Sequence, residues 1–180
     1  ACVYPAGEAW RWTLDDARVA YQRGANLYAG LDIGRMNDLT SFTLAEKMGG
    51  IYLVRKRIDL QREKFSTQEA ELYPWMELCR RVCVDKTGLG MQFAERAAER
   101  FGEYKVEGVT FTNTTKEELA YPVRSCFEDR GIRIGFDDEE LIADIRAIRK
   151  ETTAAGNVRF AADRGEDGHA DRFWSLALSV

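Results

Sequence analysis

The stretch Asn26–Glu46, NLYAGLDIGRMNDLTSFTLAE, decides the fold of this chain. Leu27, Tyr28, Ala29, Leu31 and Ile33 form a short apolar run bounded by polar residues, which suits a central β-strand better than an amphipathic helix. Asp32 interrupts that run. A carboxylate in a core strand is costly unless something pairs with it, so Asp32 needs either a buried partner or a metal or catalytic role. Beyond it, Leu39–Met48 reads as a second strand, with Phe42 and Leu44 alternating against Thr43 and Ala45. Gly49-Gly50 then turns the chain into a third strand over Ile51–Leu60. Three sequential strands joined in this way make an antiparallel meander.

Two other places set an acid against apolar sequence. RVCVDKTGLG, Arg81–Gly90, is a short strand (Val82, Cys83, Val84) ending in Asp85 and followed by a Thr-Gly-Leu-Gly turn into a helix. GHADRFWSLALSV, Gly168–Val180, is an apolar helix with Asp171 in its first turn; Phe173, Trp174, Leu176 and Leu178 form its core face. Hard divalent cations such as magnesium or manganese take several oxygen ligands, from carboxylates and from substrate phosphates. Asp32, Asp85 and Asp171, from three distant segments, fit that need.

The remaining elements fall between these landmarks. Glu8–Gln22 has Trp10, Leu14, Ala17 and Tyr21 at helical spacing, with no evident cap, and residues 1–25 read as a linker or docking segment. Ser66 and Glu69 form a capping-box pattern for a helix to about Arg80, with Ala70, Tyr73, Met76 and Leu78 available to the core and Pro74 in its middle. A helix over Leu89–Phe101 carries Phe93, Ala94, Ala97 and Phe101 on one face, and Lys105–Phe111 completes a strand-helix-strand unit of the kind that gives parallel neighbours. Thr115 and Glu118 suggest a box for a helix to Arg130, and Asp137, Asp138 and Glu139 suit the positive end of a helix to Lys150. Thr153–Phe160, with Gly156-Asn157 at its centre, suggests a small hairpin.

At 180 residues and 45% hydrophobic content the chain can bury one full core, and we expect a single domain over 26–180. It begins Ala1-Cys2 without an initiator Met and has no run of membrane-spanning length, so we read it as a soluble piece cut from a longer protein. Cys2, Cys79, Cys83 and Cys126 lack metal-ligand spacing and read as reduced structural thiols. The net charge of −4 argues against a strong DNA binder acting alone but leaves DNA open as a substrate. The basic runs Arg55-Lys56-Arg57, Arg80-Arg81 and Arg146 with Arg149 and Lys150 read first as solvated faces.

Strand meander, helix, then alternating parallel strands and helices is the order of the α/β ribonuclease H-like fold, a mixed sheet flanked by helices. With LDIGRMNDLT, VDKTGLG and GHADRFWSLALS in that order, the chain resembles the C-terminal nuclease domain of bacteriophage terminase large subunits, most closely the Mu-like branch. The resemblance runs from about Leu27 to the C-terminus. It implies an endonuclease that cuts viral DNA during genome packaging by two-metal phosphodiester hydrolysis with magnesium or manganese. By position it implies Asp32, Asp85 and Asp171 as the acidic triad, both catalytic and metal-binding, with Asp167 a further ligand candidate. Asp38 and Asp163 are alternative ligands. It further implies double-stranded DNA, an ATPase motor on the same full-length chain, a small terminase subunit and a portal as partners, in the host cytoplasm. No GxxxxGK[ST] loop occurs, so the motor is not in this segment.

Some residues keep two readings. Lys86 fits a phosphate contact or a carboxylate partner; His169 fits a phosphate contact or a helix cap; Gly88 and Gly90 fit close passage of DNA or an ordinary turn. Two rivals belong to other classes. LDIGRMNDLT imitates the phosphate-binding DxG turn of actin-like ATPases and sugar kinases, although the second glycine-rich loop they need is missing. In a non-catalytic docking module the acids would only cap and pair.

Overall fold

The computed structural model describes residues 10–34, 39–152, 158–162 and 170–180. The elements run α1 (Leu14–Gln22), β1 (Asn26–Asp32), β2 (Leu39–Met48), β3 (Ile51–Gln61), α2 (Phe65–Glu77), β4 (Arg81–Asp85) and α3 (Gly90–Phe101). They continue with β5 (Val106–Val109), α4 (Asn113–Glu128), β6 (Ile132–Arg133), α5 (Glu139–Ala147), β7 (Ile148–Thr152), β8 (Val158–Ala162) and α6 (Asp171–Ser179). Six strands form one mixed sheet in the order β5-β4-β1-β2-β3-β6, and β7-β8 is a separate hairpin. The meander β1-β2-β3 is antiparallel, whereas β1-β4, β4-β5 and β3-β6 are parallel. This is the expected mixed sheet flanked by helices, with β1 and its aspartate near the middle.

Strand alternation gives the sheet two faces, each with its own core. Leu27, Ala29, Leu31, Phe42, Leu44, Val82 and Val84 pack against Ala17 of α1, Leu72, Trp75 and Met76 of α2, and Phe93, Ala94 and Ala97 of α3. The other core joins Val54 and Ile132 to Ala120 and Val123 of α4, Leu141 of α5, and Phe173, Trp174, Leu176 and Ala177 of α6. Helices on both faces explain why Thr40–Ala45 is buried without a break instead of alternating.

Several local expectations need correction. α1 starts at Leu14, behind a capping box between Thr13 and Asp16 that the sequence reading overlooked. No box forms at Ser66: α2 opens at Phe65 after Lys64 without a side-chain cap, and Glu69 pairs instead with Arg96 of α3 at 2.7 Å. Gln68, Leu72, Trp75 and Met76 are its buried residues, and Pro74 is accommodated within it. The box of α4 sits one turn earlier than expected, between Thr112 and Thr115, whereas the acids expected at the start of α5 do stand there, Asp138 accepting the Leu141 N–H and Glu139 opening the first turn. The chain turns extended at Ile148, so β7 replaces the expected last turn of α5 and the hairpin begins before Thr153. Gly156-Asn157 lies outside the described residues.

Candidate metal centre

Asp32 closes β1 and Asp85 closes β4, and because these strands are parallel neighbours their C-terminal ends put both acids at one edge of the sheet. Both are buried, at 7% and 6% exposure. Asp171 begins α6, which packs across β1, β2 and β4. Asp38, Asp163, Asp167 and His169 lie outside the described residues.

The electrostatics tie the three acids together. Burial pushes the Asp32 carboxyl well above its usual range, and the charges of Asp171 and Asp85 push it further. Asp85 is also raised by burial, against hydrogen bonds from Thr87 that favour its charged form; the Thr87 backbone N–H donates to its Oδ1 at 2.9 Å. The coupling between the two carboxyls raises Asp32 and lowers Asp85, so the protonated form is favoured more at Asp32 than at Asp85. Among the described residues no three His, Cys, Asp or Glu side chains form a metal-ready group. The donors are all carboxylate oxygens, Asp32 and Asp85 buried and Asp171 partly so, which is chemistry that fits magnesium or manganese.

Close backbone approach shapes the two flanks. A Cβ on Gly90 would stand 2.0 Å from the Asp85 carbonyl oxygen, so only glycine lets α3 start against the end of β4; Gly88, at φ +64°, makes the turn before it. Gly30 does the same under α6: a Cβ there would lie 1.9 Å from the Ser175 carbonyl oxygen. The Lys86 N–H extends the β4-β5 pairing to the Val109 carbonyl, and its stem lies over Gly108.

A polar network that sequence reasoning missed fixes α6. Ser175, fully buried, bonds Ser41 at 3.1 Å and Thr43 at 2.7 Å on β2. Ser41 donates to Asp59 at 2.9 Å, and Asp59 accepts from Arg172 at 2.8 Å and from Arg57 at 2.9 Å. Arg57 grips Asp138 with two bonds of 2.5 and 2.6 Å. Asp144 accepts the Arg172 backbone N–H at 3.1 Å, doing for the first turn of α6 what a side-chain cap would do. The solvated-face reading therefore fails for Arg57, whose side chain is 5% exposed, and for Arg55, which bridges Glu46 at 2.7 Å. A bulge in the β2-β3 pairing puts Arg55 over Trp12 and Lys56 over Trp75 on one face, while Arg57 meets Asp138 on the other.

The family model of the terminase RNaseH-like domain matches residues 29–180. The chain belongs to that family. No curated protein matches this terminase domain significantly. Its fold is similar to the large terminase nuclease of thermophilic phage G20c with bound magnesium, at 24% identity and TM-score 0.72, covering 86% of this chain and 80% of that one. It is also similar to the nuclease domain of the bacteriophage SPP1 large terminase with bound manganese, at 14% identity and TM-score 0.61, covering 89% and 88%. The bacteriophage HK97 large terminase matches at 16% identity and TM-score 0.64, with 86% of the terminase domain aligned to 39% of that longer chain. Family membership sets aside the actin-like and sugar-kinase reading. No described helix is long and apolar enough to cross a membrane.

Proposed function

We propose that this domain is a divalent-metal-dependent endonuclease that cuts double-stranded viral DNA during genome packaging. The observation carrying the proposal is the pair of buried acids at the ends of two adjacent parallel strands, coupled to a third acid in the first turn of α6. Asp32, coupled to both other acids, would be the shared ligand, with Asp85 and Asp171 each holding one ion and Asp167 a further candidate. Two bound cations supply Lewis-acid activation of water and stabilise the charge that develops on the phosphate during in-line displacement. Burial and the neighbouring acids favour the protonated form of Asp32, so metal uptake competes with protons there and strengthens as pH rises. Asp85 is oriented meanwhile by Thr87, whose own hydroxyl accepts the Phe111 N–H at 2.9 Å.

The wider context is also proposed. Residues 1–25 form the linker or docking segment of a longer chain with an ATPase motor, which works with a small terminase subunit and a portal in the host cytoplasm. Placement in the Mu-like branch rests on the GHADRFWSLALS segment. The test is plasmid cleavage across magnesium and manganese titrations, with ATP turnover measured in parallel. Cleavage is expected only with added metal, at high enzyme because the acidic chain binds DNA weakly, and falling steeply as salt competes for the phosphate contacts; no ATP is hydrolysed. Undiminished cutting in excess EDTA, or no cutting at any metal concentration, would overturn the proposal.

A further inference from the structure

Lys116 lies in the first turn of α4, where the helix dipole disfavours a cation. It is half-buried, and its ammonium lies 4.8 Å from the centroid of the Trp174 ring and 5.3 Å from that of Phe111. Trp174 sits one turn beyond Asp171 on α6, its N–H bonded to the Ala170 carbonyl. Two rings thus hold the lysine stem beside the acids. Its charge acts on Asp32 and on Asp85, favouring the charged form of each. Among the described residues it forms no ion pair of its own.

A cation fixed beside a site that takes cations opposes metal binding, so its value must lie elsewhere. The substrate of the proposed nuclease is a polyanion, and the acids that hold the metals repel it. A lysine on a flexible stem is a suitable phosphate partner, acting as a point charge. We propose that Lys116 binds a DNA backbone phosphate next to the scissile bond, and that its charge weakens metal binding while doing so. This rests on the nuclease reading above.

The test uses the full chain with Lys116→Met, which keeps the apolar stem on Trp174 and Phe111, and Lys116→Arg, which keeps the charge. Thermal melts across a manganese titration without DNA report metal affinity, and the EDTA melts report folding. Fluorescence anisotropy of a short labelled duplex, with calcium in place of the active metal, reports DNA affinity across a salt series. Lys116→Met is expected to bind manganese several-fold more tightly and DNA several-fold more weakly, with its salt slope reduced by about one. Lys116→Arg is expected to restore DNA binding. Unchanged DNA affinity and slope in Lys116→Met overturn the inference, as does a loss of manganese binding, which would make Lys116 a support of the metal site. Failure of the parent to bind manganese or cut plasmid would instead remove the nuclease reading beneath it.

Discussion

Replacing Gly30 by alanine puts a methyl group where β1 and α6 touch. The added Cβ would stand 1.9 Å from the Ser175 carbonyl oxygen, 2.7 Å from the Ser179 nitrogen and 2.8 Å from the Leu178 Cβ. Two of these are backbone atoms, so no change of rotamer relieves the clash. Ordinary contact begins at 3.4 Å, so the carbonyl must retreat by about 1.5 Å, taking α6 with it. That distance is enough to break the 3.1 and 2.7 Å bonds from Ser175 to Ser41 and Thr43. Overpacking costs about 1–3 kcal/mol, and buried hydroxyls left without partners about 1–3 kcal/mol more. A total of about 2–6 kcal/mol lowers the melting temperature by about 4–24 °C in a domain of this size. Because α6 carries Asp171, Gly30→Ala is also expected to lose most of the stabilisation manganese gives the parent. Gly50→Ala, where an added Cβ meets nothing within 4 Å, is the control and should melt like the parent or slightly higher. Thermal melts of all three proteins with EDTA or manganese decide the matter. A Gly30→Ala protein melting within about 2 °C of the parent, with its manganese response intact, would refute the close-contact argument.

Other perturbations test other parts of the structure. In the metal-free protein Asp32→Asn should melt higher than the parent, since it keeps the shape but removes a buried charge repelled by two others, and manganese should raise its melting point much less. A lower melting point in EDTA would mean that Asp32 is a structural acid. The pH dependence follows from the same cause: the folded-state pKa of Asp32 is raised, so its stabilising contribution is complete below the unfolded value near 3.8 and is lost as pH rises through the folded one. Parent stability in EDTA should therefore fall more over that window than that of Asp32→Asn, and parallel pH curves would contradict the assignment. Arg57→Ala leaves Asp138 buried without its partner and should cost about 3–5 kcal/mol in denaturant unfolding, where a loss below about 1 kcal/mol would show the network to be ornamental. Asp171→Asn should abolish cleavage while Asp167→Asn and Asp163→Asn only reduce it; an inactive Asp167→Asn would reassign the third ligand.

What the sequence showed, it showed through local signals. The meander was legible because Gly49-Gly50 separates two apolar runs, and the Asp85 strand because VCV ends at an acid before a glycine turn. β6 escaped notice because two residues, Ile132 and Arg133, are too few to show a period. The capping boxes were misplaced because Ser66 and Thr115 each satisfy the pattern at the wrong offset, and only the hydrogen bonds distinguish the candidates. Of the site, Asp32 and Asp85 stood out as polar breaks in apolar strands. Arg57 looked like a surface cation and Lys116 drew no reading, because what they face is supplied by α5 and α6 from far along the chain.

The hydrogen bonds from Ser175 to Ser41 and Thr43 join residues 134 and 132 positions apart. Contacts of such separation form late, since a long loop must close before any of them contributes. Until α6 docks, the strip of β1 and β2 that awaits it consists of Gly30, Asp32, Ser41 and Thr43, small or polar groups that offer little to nonspecific collapse. The refolding chain can therefore complete its opposite core around Phe42, Leu72 and Phe93 while this groove stays wet. Docking of the helix becomes a separate, slower step. Trp174 fluorescence should then lag behind the appearance of the sheet in refolding, and Asp171 would join Asp32 and Asp85 only at the end, after the sheet that carries those two has already formed.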